Sequence, residues 1–213
     1  MGGSNSNTGE TMRFFSMKAK ADASLSPSFT QSEKVEGSWK NTNVYDTITG
    51  MLCSASIETK DFNDGAKNFF TLILEDEEGK FKVSMSHNDL SYSIISSLAS
   101  NCNSLSNFTI KLWKKESDDG KYWNGRAAVT ADGQKTSWKI APNTAPKKEL
   151  ITKKDGKTPL LKDGKNQYDD EDRRLFWEKF FKENIVAALG ETPAKKSAPA
   201  ASDEDDDNDH LPF

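Results

Sequence analysis

Residues 44–60 read VYDTITGMLCSASIETK. The stretch is rich in β-branched and aromatic residues and contains no proline, so it reads as one long strand. Its apolar residues fall at Val44 and Ile48 before Gly50, and at Met51, Cys53, Ala55 and Ile57 after it. Side chains alternate faces along a strand, so a change of parity at a glycine predicts a bulge that bends the strand at its centre. A bent first strand can serve two sheets, which is the geometry of a small barrel.

The flanking sequence continues the β pattern. Asn63, Asp64 and Gly65 predict a turn, and residues 68–75 a strand with Phe70, Leu72 and Leu74 on one face. Glu78 and Gly79 turn the chain into residues 80–86, where Phe81, Val83 and Met85 alternate with Lys82 and Ser84. Leu90, Ile94 and Leu98 then fall at helical spacing behind Asp89, a candidate N-cap. Strands resume at residues 107–115, 121–130 and 135–140, separated by the turns Asp118-Asp119-Gly120 and Ala131-Asp132-Gly133. Three strands, a helix and then two or three strands is the order of an OB fold, a five-stranded barrel with its helix between strands 3 and 4. An SH3-like barrel or a β-sandwich is the alternative.

Upstream, residues 1–11 read as a disordered Gly/Ser/Asn leader, residues 12–21 as a leading strand and residues 34–40 as a further extended piece. The core with this N-terminal extension is expected to span 12–140. Residues 141–169 read as a basic linker or an extra hairpin around Asp155-Gly156. Residues 170–190 form an amphipathic helix that acids open and Gly190 closes. Its ragged stripe of Phe176, Trp177, Phe180, Phe181, Ile185 and Leu189 reads as core; a homodimer contact and a cover over a binding groove are the other readings.

Charge is segregated along the 213 residues. Residues 191–213 carry two lysines against seven acids, a net −5, while the remaining body is +1 and holds a +5 stretch at 139–168. A nearly neutral body argues against packaging of duplex DNA, yet it suits a groove that combines local cations with aromatic stacking. The hydrophobic fraction of 34% is low for a fully packed chain and predicts disordered ends. The longest apolar run near a helix, residues 185–189, is far too short to span a bilayer. Cys53 and Cys102 lack CxxC spacing and read as reduced thiols of a cytoplasmic protein.

No catalytic pattern stands out. Two histidines, His87 and His210, cannot build a His-rich metal site, and no glycine-rich phosphate loop, GxSxG or HExxH occurs. Neither enzyme activity, nor a metal, nor a cofactor is expected. The aromatics point instead to binding. In residues 107–115, parity places Trp113 with Lys111 and Lys115, opposite Phe108, Ile110 and Leu112. An indole between lysines is a poor core position and a good platform for a base. Tyr122 shares parity with Arg126, Lys82 points away from Phe81 and Val83, and Tyr45 lies off the apolar parity of its strand. These seven, Tyr45, Lys82, Lys111, Trp113, Lys115, Tyr122 and Arg126, are expected on one nucleic-acid-binding face. The alternative is the plain solvent face of a barrel. Trp39 and Trp138 fit either core or platform.

The chain closes with SDEDDDNDHLPF, residues 202–213, six acids followed by Leu211, Pro212 and Phe213. The acidic run repels itself and is expected to stay extended, so the apolar tip is a small hook for a partner's pocket. A plain solubility tail is the alternative. This ending resembles the acidic C-terminal tip of bacterial single-stranded DNA-binding proteins, and the acidic tails with a terminal Phe of phage-encoded ones. Asn208 and His210 interrupt the pattern, and the resemblance covers only the last dozen residues closely.

The resemblance implies a protein that coats single-stranded DNA and recruits replication, recombination or repair proteins through Asp205, Asp206, Asp207, Asp209, Leu211, Pro212 and Phe213, in the host cytoplasm if phage-encoded. The alternatives are an RNA-binding OB protein, and an adaptor or acidic-tailed chaperone that binds no nucleic acid.

Overall fold

The computed structural model describes residues 12–63, 65–102, 106–153, 156–162 and 164–190. The expected leader and acidic tail, with all seven tip residues, lie outside these, as do Asp64 and Asp155 of the two predicted turns.

The protein is mainly β. Nine strands form one sheet: β1 Arg13–Lys18, β2 Ser28–Val35, β3 Ser38–Tyr45, β4 Thr47–Phe62, β5 Gly65–Asp76, β6 Gly79–Ser86, β7 Asn107–Glu116, β8 Trp123–Ala131 and β9 Gln134–Lys135. Their order is β3-β2-β1-β6-β5-β4-β7-β8-β9, and only the β1–β6 pair is parallel. Helix α1, Asp89–Ala99, falls between β6 and β7, as the predicted order requires. The path β4-β5-β6-α1-β7-β8 therefore matches the expectation. The sheet itself is larger than five strands and is not closed into a barrel: β6 pairs with β1, and the outer neighbour of β8 is β9.

The long strand behaves as a bent founder, with two corrections. β4 pairs with β7 through Met51 and with β5 from Met51 onward, so it changes partner at its centre. The irregularity in register lies between Leu52 and Ser54, placing the parity change at Cys53 rather than Gly50. Ile48 and Leu52 face the core before it, Ala55 after it. Gly50 serves a different purpose: a Cβ there would lie 3.0 Å from the Glu75 carbonyl oxygen and 3.0 Å from the Phe81 ring. Any side chain there would force these neighbours to give way, so a glycine suits the close approach. Val44 belongs to β3 and is 68% exposed, so it was never part of the core row.

The N-terminal extension is a full hairpin, β2–β3, joined at Glu36 and Gly37. Both have positive φ, 51° and 83°, the geometry that matches the twist of flanking strands. The predicted strand at 135–140 shortens to β9. Beyond it, Ser96 of α1 exchanges hydrogen bonds with the Ile140 backbone. The α1 cap is Asn88, whose side chain accepts from the Ser91 amide; Asp89 is the first helical residue and pairs with Arg173 at 2.9 Å.

Residues 149–169 form the extra hairpin: Glu149–Leu150 pairs with Tyr168–Asp169, Thr152 bridges Pro159, and Leu161–Lys162 pairs with Lys165–Asn166. Helix α2, Glu171–Phe181, runs through a π-helical turn at Lys182–Val186 to Ala187–Leu189, and Gly190 follows at φ 79°. Its stripe is core, as the first of the three readings had it. Trp177, Phe181 and Ile185 are fully buried, and Trp177 stacks on Tyr92 of α1 with centroids 4.9 Å apart.

Arg173 pins the helix start by donating to the Pro146 carbonyl and lying over Tyr92. Further along, Glu178 accepts from Asn68 at 2.9 Å and sits 3.3 Å from His87 Nε2. Both cysteines are free, and burial pushes the Cys102 thiol up to about 11.

His87 carries a pH dependence. It lies against Phe70 and Tyr92, and burial pulls its pKa below the ordinary 6.5, with Glu178 opposing in part. The unfolded chain therefore takes up the proton first. Neutral His87 adds stability that is present above 6.5 and lost as pH falls below it. Urea unfolding is expected to show lower stability at about pH 5.5 than at about pH 7.5, with the loss reduced in His87→Gln. A stability gain on acidification that the variant abolishes would mean that the ion pair with Glu178 outweighs burial.

Candidate nucleic-acid interface

β7 alternates as predicted. Phe108, Ile110 and Leu112 are buried, whereas Lys111, Trp113 and Lys115 are exposed on the other face. β8 pairs with it antiparallel, so Trp113 lies directly opposite Arg126, Lys111 opposite Ala128 and Lys115 opposite Asn124. Trp113 is 40% exposed. Lys111 and Arg126 make no ion pair among the described residues, and Lys115 has only an exposed contact to Asp118 at 3.6 Å. Such a surface pair holds a lysine weakly. Tyr122 precedes β8 and is 58% exposed. Ser117 accepts from its amide and donates its own amide to the Tyr122 carbonyl, which fixes the turn beside Lys115.

The opposite faces of these strands are occupied. Lys114 donates to the Asp22 and Ala23 carbonyls and lies 4.8 Å from the Trp123 ring. A Cβ on Gly125 would come within 3.1 Å of the Ala19 carbonyl. The loop after β1 thus covers this side, leaving the Trp113 side open.

Of the other two expected residues, Tyr45 is placed elsewhere, and Lys82 lies on the same sheet face but is ion-paired. Tyr45 ends β3 opposite the buried Phe29, its ring edge-on to Phe15 and its hydroxyl donating to Gln31 at 3.0 Å. It borders a cavity of about 780 Å³ that Glu75, Asp76, Glu77 and Glu78 also line, with Arg13 tied to Asp76 and Glu78. That rim repels phosphate. The parity argument failed because Tyr45 and Thr47 belong to different strands.

Lys82 does point away from the core, but both oxygens of Glu58 lie 2.6 Å from its ammonium. It is a committed partner rather than a free phosphate ligand. The expected single face of seven therefore reduces to Lys111, Trp113, Lys115 and Arg126, with Tyr122 beside them.

The same sheet face carries aromatics that the sequence reading did not single out. Phe14 packs edge-on against Trp39 at 5.0 Å. Lys60 lies over Phe69 at 4.8 Å and Lys67 over the exposed Phe62 at 5.4 Å. A signal for two of them was present. Adjacent residues on a strand point to opposite faces, so each Phe-Phe pair, 14–15 and 69–70, must place one ring outside.

Among the described residues no group of His, Cys, Asp and Glu could hold a metal ion, and no helix is long and apolar enough to cross a membrane. Comparison with protein-family models, curated proteins and solved structures gives no match to this chain.

Proposed function

We propose that this protein binds single-stranded DNA without strong sequence preference and recruits replication or recombination proteins through its acidic C-terminal tip. On this reading β4 to β8 with α1 are an OB-type core to which β1, β2 and β3 are added. It is a binding protein rather than an enzyme, of the kind phages encode, working in the host cytoplasm. The observation that carries the reading is the open ladder of β7 and β8: Trp113 directly opposite Arg126, flanked by Lys111 and Lys115. A base can stack on the indole while the cations meet the phosphates on either side.

Trp113→Ala is expected to cost about 1–3 kcal/mol of binding to oligo-dT, the range for one lost base–aromatic contact. The same titration run against salt should give a modest negative slope, because few cations on this ladder are free to displace counterions. Parallel titrations with oligo-rU and duplex DNA separate the alternatives. Preference for oligo-rU would make this an RNA-binding protein, and no binding to any of the three would leave an adaptor. Undiminished oligo-dT affinity in a folded Trp113→Ala protein would remove the ladder from the site.

A further inference from the structure

A second cleft opens on the same sheet face, between the N-terminal hairpin and β6. Its volume is about 420 Å³, within the range of small-ligand sites. Phe14 and Trp39 form one wall, and Lys60 and Lys82 the other. Ser16, Ser32 and Ser84 line it as well.

Strand register explains how residues so distant in sequence converge. Lys82 pairs with Phe14 and Phe14 with Ser32, while two residues along, on the same face, Ser84 pairs with Ser16. The Ser84–Ser16 row continues to Thr71 on one side and Thr30 on the other. Both threonines are 1% exposed, and their hydroxyls have no partner among the described residues. Within the cleft the polar floor is Ser16, Ser32 and Ser84, in a sheet whose other face carries Phe15, Val83 and Leu72.

The walls are unequal in charge. Glu58 neutralises Lys82 and holds it in place. Among the described residues, Lys60 has only the Ser84 hydroxyl, at 3.1 Å, and the Phe69 ring. The ammonium is therefore held at the cleft without a carboxylate. Trp39 is 57% exposed, and among the described residues its one ring contact is the T-shaped one with Phe14, which leaves indole surface open beside the hydroxyl floor.

A flat heterocycle with polar edges and an attached phosphate matches this combination: an aromatic wall, a hydroxyl floor and one uncompensated cation. We infer that this cleft takes one nucleotide of the bound strand, its base against Trp39 and Phe14 and its phosphate at Lys60. The inference rests on the single-strand reading above and extends it from the β7–β8 ladder to the N-terminal hairpin. The hairpin then belongs to the binding surface and is more than an edge cover for β6.

The test uses the full chain and an oligo-dT of roughly 16 nucleotides, long enough to cover one OB-type core. Trp39→Ala should weaken binding about 5- to 150-fold, and Trp39→Phe, which keeps a ring, should recover most of it. Lys60→Gln should lower the salt slope by about one. An oligonucleotide carrying 5-iodouracil should photo-cross-link to Trp39 or Phe14, mapped by mass spectrometry.

Full affinity in Trp39→Ala and no cross-link there, while Trp113→Ala weakens binding, would overturn the cleft and leave the proposed function standing. No binding by the wild-type chain would overturn both. Equal cross-linking by free 5-iodo-dUMP would make the cleft a mononucleotide site and overturn its assignment to the strand.

Discussion

Trp177→Ala is expected to destabilise the protein by about 3–5 kcal/mol, the range for removing a large aromatic from a packed core. The indole is fully buried, stacked 4.9 Å from Tyr92 with the rings 6° from parallel, and edge-on to Phe176 and Phe180. It joins α2 to α1, and α1 packs on the sheet, so the cavity would open between two helices far apart in the chain, with β7, β8, β9 and the small hairpin module between them. Collapse to fill it is resisted by Arg173 on one side and by the Glu178 contacts to Asn68 and His87 on the other.

The indole N–H has no partner among the described residues. Trp177→Phe should therefore be milder, since it leaves a smaller cavity and no donor to satisfy. Urea denaturation of the two variants decides it. A loss below about 1 kcal/mol in Trp177→Ala would show that α2 is not part of the cooperative unit.

Deleting Phe213 is expected to abolish capture of replication or recombination partners while leaving affinity for oligo-dT almost unchanged. On the proposed reading the residue is the apolar anchor of the tip, and its removal keeps all six acids between Asp203 and Asp209. Deleting residues 202–213 removes the acids too. Tethered acids compete with phosphates for cations such as Lys111, Lys115 and Arg126 at a high local concentration. The longer deletion should thus lose the partners and also tighten oligo-dT binding at low salt, an effect that fades as salt screens it. Pull-down and titration on both truncations separate anchor from acids. Equal partner recovery by the wild type and the Phe213 deletion would return the tip to a solubility tail.

The β character of the protein, the strand order around α1 and the outward face of β7 were legible in the sequence, because alternation is a local property. Phe108, Ile110 and Leu112 against Lys111, Trp113 and Lys115 needs only the pleat of one strand. The aromatic stripe of α2 was legible as core for a similar reason: its burial follows from helical spacing.

Errors arose where a residue's place depends on a partner strand. Tyr45 was assigned to the wrong strand, and the parity change was put at Gly50. Cys53 is displaced because β4 hands over from β7 to β5 at Met51, and that depends on both neighbours. Lys82 faces outward as read, yet Glu58 occupies its charge from two strands away.

By itself the sequence determined which side chains share a face within each strand, and where the charge lies along the chain. The tertiary structure alone decided that Phe14, Trp39, Lys60 and Lys82 line one cleft, and that the sheet spreads to nine strands instead of closing at five. The parallel pairing of β1 with β6 is responsible for both: it occupies the edge of β6 and brings the N-terminal hairpin beside it. Parity is written in neighbours along the chain, but pairing between residues 13–16 and 81–84 is a long-range choice set by the energy of the whole sheet, which no local pattern encodes.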